Sequence, residues 1–396
     1  PQANEMQRAA FFGGLLAMAY SFLQFLCSPV WGGLSDRYGR RTILLISGSG
    51  TLLANAAWIW AGSFEVFLAT RLLAGVFAGN ISTATAAVSD LSSAERRARS
   101  MGMAGACIGM GFIMGPAIGG ISYSLLPNLD SGSAGHLALT PFSATVALAA
   151  FLNLVNLAWI AFAFQESLPP DARRVGSRGM NPFRYLTANV NRRGLIFNAS
   201  NFFNTTGFSA VETTMAFLLM DRLGYEPHHI ALSMSLMGVC SALTQGGAFR
   251  ALSGRVDLRV TAMAGLVLLI PGYLFLGAVH WHPANLLSAL GIICSGIGMG
   301  LTMPSLSTLV SFNAGGQDQG LTMGAFRAAG ALGRSVGPLI GAFCYYRFSP
   351  GSPYLAAAAI GLTPLVLVWT LASAKPKGEG ELGAAAEAGT AGAPEV

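Results

Sequence analysis

Long apolar runs alternate with short polar connections along almost the whole 396-residue chain. A run of about 20 apolar residues crosses a bilayer as a helix, because an open strand or loop cannot satisfy its backbone in lipid. Eleven such runs are read, at 9–31, 42–61, 64–88, 101–125, 138–164, 195–220, 230–248, 260–279, 286–310, 321–343 and 354–371. The polar connection 169–193 separates five of them from six. The pattern predicts an all-α integral membrane protein with an N-terminal bundle over 1–168, a central loop over 169–193, a C-terminal bundle over 194–372 and a low-complexity, disordered tail over 373–396.

Composition agrees with that pattern. Hydrophobic residues make up 53% of the chain and charged residues only 10%, where a soluble domain carries about 25%. Its 50 glycines suit helices that pack backbone to backbone. Cys27, Cys107, Cys240, Cys294 and Cys344 lie inside apolar runs, without the paired spacing of a metal site or a disulfide framework, and read as packing residues. A formal net charge of +6 does not indicate nucleic acid, since no basic patch is interleaved with exposed aromatics.

The basic residues instead mark alternate connections. Of 23 Lys and Arg, 17 fall on one side, including Arg37, Arg40, Arg41, Arg96, Arg97, Arg99, the central-loop arginines and Lys375 and Lys377. The opposite side holds Arg8, Arg222 and Arg347, while Arg71, Arg327 and Arg334 lie inside runs. The rich side is predicted to be cytoplasmic, with the central loop and C-terminus. An internal repeat accompanies this alternation. RSMGMAGACIGMGFIMGPAIGG (99–120) aligns without gaps to LTMGAFRAAGALGRSVGPLIGA (321–342), so Gly102, Gly111, Gly115, Pro116 and Gly119 meet Gly324, Gly333, Gly337, Pro338 and Gly341. LSDRYGRR (34–41) is echoed more weakly by LSGRVDLR (252–259). Two halves of like topology imply a repeat-built transporter. Six runs against five imply that one span is missing at the N-terminus, residue 1 then lying in the outer loop that follows it.

Three motifs occur in order. Gly32-x-Leu34-x-Asp36-Arg37-x-Gly39-Arg40-Arg41 is similar to the loop signature of the major facilitator superfamily. Arg71-x3-Gly75 resembles its fourth-helix motif, and Gly102-x8-Gly111-x3-Gly115-Pro116-x2-Gly119-Gly120 resembles the fifth-helix motif of its drug:proton antiporters. With ESLPP (166–170), the closest resemblance is to tetracycline efflux proteins and their animal relatives. It implies a fold of two pseudo-symmetric helix bundles working by alternating access. Asp36, at a helix end, is suited to accept hydrogen bonds from the free N–H groups of a neighbouring helix N-terminus. The resemblance implies that this neighbour starts near Leu321, so Gly32, Asp36, Arg37, Gly39, Arg40 and Arg41 would form a conformational latch. Gly111, Gly115 and Gly119 make a groove for a close helix, and Pro116 bends their own helix.

Charge inside an apolar run is costly and usually faces a cavity or a partner. Arg71, Glu212 and Arg334 are therefore the candidates for proton coupling. Glu212 shares a helical stripe with Asn198, Asn201, Asn204, Thr205 and Phe208, which reads as a cavity wall or as interhelical bonding. Arg334 needs a carboxylate. The resemblance implies that the helix of Arg334 packs beside that of Glu212, which makes Glu212 the candidate, either as a static brace or as a switch released by protonation. Gln24 and Gln245 occupy corresponding helices and are read as substrate contacts or as local helix bonding; with Asn198, Asn201 and Asn204 they complete the candidate cavity. The histidines lie at outer ends and loops.

The sequence thus predicts a secondary transporter, not an enzyme: a monomer in the lipid bilayer exporting drugs such as tetracycline, or other organic ions, against protons. It would use no cofactor or metal, bind a small organic molecule and have no nucleic-acid partner. A proton-coupled importer of organic anions and a non-transporting receptor or scaffold remain as alternatives.

Overall fold

The computed structural model describes residues 2–92, 100, 103, 107, 110, 111, 114, 115, 118–122, 139, 142–173, 183, 192–252, 255–313 and 315–372. The helices are α1 (Gln2–Tyr38), α2 (Arg40–Trp58), α3 (Phe64–Phe77), α4 (Ile81–Asp90), α5 (Ser143–Phe162), α6 (Arg192–Leu223), α7 (Pro227–Leu243), α8 (Leu258–Ala278), α9 (Asn285–Asn313), α10 (Gly315–Arg347) and α11 (Ser352–Ala372). A 3-10 turn at Ala78–Asn80 joins α3 to α4 as one span, and a π turn at Thr244–Phe249 continues α7 to Leu252. The central loop beyond residue 173, the tail, Gly102 and Pro116 lie outside the described residues, apart from Phe183 and the start of α6.

Among the described residues, seven helices are long and apolar enough to cross a membrane by length and composition. Helices α2, α6 and α10, of 19, 32 and 33 residues, are more polar: α6 carries the Asn–Glu stripe, and α10 carries Arg327 and Arg334. A helix shielded from lipid by its neighbours tolerates such residues. Helix α1 runs well past the expected 9–31, because the polar residues at both ends of that run continue the turn. Its 37 residues amount to about 55 Å of helix, longer than the hydrocarbon core.

The ends have local causes. Gly39 adopts φ +98 and lets the chain turn sharply from α1 into α2. Gly224 takes φ +64 after α6, and the Tyr225 N–H donates back to the Leu219 carbonyl at 3.2 Å, closing that helix. Asp257 caps α8 by accepting from the Arg259 N–H at 2.8 Å.

Packing in the second half is set by glycine. A Cβ on Gly333 or Gly337 of α10 would lie 2.5 Å from the carbonyl oxygen of Phe202 or Thr206 on α6, and one on Gly341 2.8 Å from that of Ala210. The two backbones therefore touch over three successive turns. Helices α8 and α9 meet in the same way at Gly265, Gly272, Gly291 and Gly298. Around these seams lies an apolar core with Val211, Met215, Leu218, Leu269, Tyr273, Leu276, Tyr345 and Tyr354, which also takes in Ala10 of α1.

The repeat holds in sequence more than in packing. A Cβ on Gly111 or Gly115 would meet nothing within 4 Å, and Gly119 approaches only Thr145, at 3.7 Å. Among the described glycines of this stretch only Gly120 is pressed, against Ala231 of α7. No described residue fills the first-half groove at the positions where α6 fills that of the second half.

Gly337→Ala should lower stability by about 1–3 kcal/mol, because backbone on both sides leaves nothing to yield. Gly324→Ala, with open space around it, should be neutral or stabilising by about 0.5–1 kcal/mol. Thermal unfolding of the detergent-solubilised protein measures both.

Candidate functional site

At the Arg-rich end, α1, α2, α4 and the chain after α5 meet around Arg40. Its side chain is buried. Nη1 donates to Asp36 Oδ1 at 2.6 Å and to Ser35 Oγ at 2.6 Å, and Nε donates to Asp90 Oδ2 at 2.9 Å. The guanidinium thus carries two carboxylates, one from its own neighbourhood and one from 50 residues away. Arg37 lies against the Tyr38 ring, its Cζ 5.2 Å from the centroid, and Gly32 leaves room for Ser82, whose Oγ lies 3.6 Å from where its Cβ would be.

The carboxylate at a helix N-terminus here is not Asp36 but Glu166. Its Oε1 accepts from the backbone N–H of Arg40 at 2.8 Å and of Leu168 at 3.1 Å, and its Oε2 accepts from that of Arg41 at 3.2 Å. Anion and N–H groups are matched where the α2 dipole favours negative charge. A side chain on Gly39 would collide with this carboxylate, a second reason for glycine there. In this structure Asp36 instead pairs with Arg40, within its own bundle.

The weak echo between 34–41 and 252–259 has a structural counterpart. Arg41, second residue of α2, donates through Nη2 to the Ala161 carbonyl near the end of α5 at 2.5 Å. Arg259, second residue of α8, donates through Nη1 to the Leu371 carbonyl near the end of α11 at 3.5 Å. In each half a cation fastens a helix start to the last carbonyls of a neighbouring helix, which lack partners within their own helix.

Deeper in, the polar stripe of α6 is buried at Asn198, Asn201, Asn204 and Thr205. Asn201 Nδ2 donates to the Phe326 carbonyl of α10 at 2.8 Å, and Gly330 leaves the space its amide needs. Thr205 Oγ1 donates to Asn201 Oδ1 at 3.3 Å. Asn204 Nδ2 faces the sulfurs of Met299 and Met303 on α9, at 3.7 Å each. Both polar atoms of the Asn198 amide are buried without a hydrogen-bond partner. Half-buried Glu212 lies further along α6 and feels the charge of Arg334. Ser209, one turn earlier, donates to the Arg334 carbonyl at 3.4 Å.

Gln24 and Gln245 have local partners. Gln24 Nε2 donates to the Ala78 carbonyl at 3.1 Å and Trp31 Nε1 to the Val76 carbonyl at 2.6 Å, both at the 3-10 break between α3 and α4. Gln245 Nε2 donates to Ser241 Oγ at 3.3 Å, at the start of the π turn. Arg71 stacks on Trp58, its Cζ 3.6 Å from the ring centroid, with Phe67 at 5.4 Å.

The two ends of the molecule differ. Away from the Arg-rich end the halves touch: Gly14 of α1 presses on Ala342 and on the Pro338 carbonyl, Gly13 on the Phe217 ring, Phe11 lies 5.4 Å from Tyr346, and Gly120 presses on Ala231. Toward the Arg-rich end, Gly246, Gly247 and Gly324 have open space around them.

A family model described as Major Facilitator Superfamily matches residues 3–338, with a second match over 197–394. The chain belongs to the Major Facilitator Superfamily. Within the superfamily it is 29% identical over 386 residues to Major facilitator superfamily domain-containing protein 10 of Mus musculus, covering 93% of this chain and 80% of that protein. It is 31% identical over 344 residues to the class C tetracycline resistance protein of Escherichia coli, covering 84% and 79%. The crystal structure of the human organic anion transporter MFSD10 (TETRAN) superposes with a TM-score of 0.70 at 27% identity, covering 90% of this chain and 83% of that one. A mutant of the nucleoside transporter NupG, at a TM-score of 0.67 and 13% identity, covering 93% and 95%, shares the fold alone. This superfamily member is therefore a multi-pass membrane transporter of small molecules, similar in kind to the tetracycline exporters and MFSD10.

Of the residues the sequence singles out, the structure gathers Asp36, Gly39, Arg40 and Arg41 at one end and Asn201, Asn204, Glu212 and Arg334 along the α6–α9–α10 seam. Asp90 and Glu166 complete the first group without being marked by the motifs; the only sign of Glu166 is its place in ESLPP. Glu166→Ala should lower stability by about 1–2 kcal/mol, and Glu166→Gln by less, since the amide still accepts but carries no charge for the dipole. Thermal unfolding of both variants against wild type measures the difference.

Proposed function

We propose that this transporter exchanges protons for amphipathic organic ions, exporting them from the Arg-rich side, which is cytoplasmic. The observation that carries the reading is Glu212: a carboxylate within a spanning helix, under the charge of Arg334, beside the backbone seam that joins α6 to α10. Such a group binds a proton when the site opens to one side and releases it when the site opens to the other. Ionised, Glu212 attracts a cationic group of the substrate that protonation would displace, so proton and substrate compete for one carboxylate. The tetracycline resistance proteins and the organic anion transporter among the relatives support organic ions as cargo. Asn198, buried with both amide atoms unpartnered, keeps hydrogen-bonding capacity for a substrate once the site opens, whereas Asn201 and Gln24 already hold backbone carbonyls.

The difference between the two ends supports alternating access. Contacts of α1 with α10 and α6, and of Gly120 with Ala231, fit a closed outer end, and the space around Gly246, Gly247 and Gly324 supports a cytoplasmic end that is not closed. In this state Asp36 rests on Arg40. In the opposite state, as the cytoplasmic ends of α1 and α10 approach, Asp36 is available to the first turn of α10 and latches the two halves.

Everted membrane vesicles with an imposed pH gradient test this. Tetracycline, cationic dyes and organic anions added in turn should evoke proton leakage through the wild-type protein. With Glu212→Gln the leakage should fall to the level of empty vesicles while substrate binding persists. Undiminished leakage with that variant would overturn the role given to Glu212. Uptake only down the proton gradient, with no uphill accumulation in everted vesicles, would make the protein an importer.

A further inference from the structure

Away from helix ends, the spanning segments contain three guanidiniums, Arg71, Arg327 and Arg334, and one carboxylate, Glu212. Charge in that setting calls for opposite charge. Two of the three arginines converge on one residue that the motifs do not include. Helices α1 and α10 run antiparallel, for Gly14 meets Pro338 and Ala342 while Phe11 meets Tyr346. Six residues beyond Gly14, about 9 Å along α1, comes Tyr20. A similar distance back along α10 comes Arg334. The Tyr20 backbone is fixed against the first half as well: a Cβ on Gly75 would lie 2.7 Å from the Tyr20 carbonyl oxygen, and Gly75 is one turn from Arg71. Both Arg71 and Arg334 act electrostatically on the Tyr20 hydroxyl.

The stacking of Arg71 decides what this cluster presents. Trp58, 3.6 Å from Cζ, takes one face of the guanidinium, and Phe67 lies 5.4 Å away. Aromatic contact fixes the plane of the fork but uses none of its N–H donors, which lie around the rim. A fork held by its face and open at its edge suits a planar, two-oxygen acceptor. Tyr20, half-buried, adds a hydroxyl donor.

We propose that Tyr20, Arg71 and Arg334 form an anion-binding subsite shared between the two halves, which takes the carboxylate or sulfonate of an amphipathic organic anion. Arg71 and Tyr20 hold the anion from the first half and Arg334 from the second, so a bound anion draws the halves together at the level where they must rock. Ionised Glu212 competes with the anion for Arg334, and binding by the subsite does not rest on the exchange reading above. Tyr20 acts here as a specificity residue, because a hydroxyl between two guanidiniums ranks anionic over cationic cargo.

The test uses fluorescein as anionic probe and rhodamine 123 as its cationic counterpart, on the full-length protein. Fluorescence polarisation in detergent reads binding, and proteoliposomes with an imposed pH gradient read transport. Tyr20→Phe should weaken fluorescein binding about tenfold, the loss of one hydrogen bond to a charged group, and weaken rhodamine 123 binding far less. Arg334→Lys should fall between wild type and Arg334→Gln for fluorescein, because it keeps the charge and loses the fork. Equal losses for both dyes in Tyr20→Phe would reduce Tyr20 to a packing residue and overturn the subsite. So would transport of rhodamine 123 with no fluorescein binding, though proton exchange would stand. Fluorescein binding that depends on Tyr20 and Arg334, with neither dye transported, would uphold the subsite and sink the exchange reading.

Discussion

The contact on which the rest depends is the backbone seam between α6 and α10. In lipid no hydrophobic force drives helices together, so association rests on van der Waals contact and interhelical hydrogen bonds. Gly333, Gly337 and Gly341 remove the side chains that would keep the helices apart, and the carbonyls of Phe202, Thr206 and Ala210 occupy the space. That approach places Asn201 within reach of the Phe326 carbonyl and Ser209 within reach of that of Arg334. It also holds the Glu212 carboxylate in the field of Arg334. A wider seam would leave these polar groups without partners inside a membrane. Packing and polar chemistry are therefore one constraint.

The Arg-rich end is organised differently, by capping. Helix starts and ends leave N–H and carbonyl groups without partners, and here charged side chains from elsewhere supply them. Glu166 takes the first N–H groups of α2, Arg41 the Ala161 carbonyl, and Arg259 the Leu371 carbonyl in the other half. Arg40, between Asp36 and Asp90, joins the ends of α1, α2 and α4. Helix ends in each half are thus fastened to a neighbouring helix at this end. Buried pairs of this kind are weak evidence for stability and better evidence for a fixed geometry.

Much of this was legible in the sequence, and the part that was not has a single cause. Apolar runs marked the described helices, because hydropathy is a local pattern. Angular spacing at about 100° per residue placed Asn198, Asn201, Asn204 and Thr205 on one face, and all four are buried together. The same spacing could not say what they meet. Glu166 bonds to residues about 125 positions away, Asp90 to one 50 away, and Gln24 to a carbonyl at a 3-10 turn that no residue pattern announced. Equal sequence in the two halves likewise did not mean equal surroundings: Gly337 is pressed by α6, whereas its counterpart Gly115 meets open space.

That inequality bears on mechanism. Away from the Arg-rich end α1 is built into the second half, with Ala10 in its core and Gly14 against Pro338 and Ala342. Yet α1 belongs to the first half through Gly75 and Gly79, which press on the backbones of Tyr20 and Ser28. One helix therefore carries contacts with both halves, and parting them at that end requires α1 to leave α10 while keeping α3 and α4. Tyr20 sits where the two sets of contacts meet, between the Gly14 contact with α10 and the Gly79 contact at Ser28. A ligand held between Arg71 and Arg334 at that level acts on both bodies at once. Binding energy placed at this junction shifts the balance between open and closed states, whereas the same energy spent wholly within one bundle leaves it unchanged.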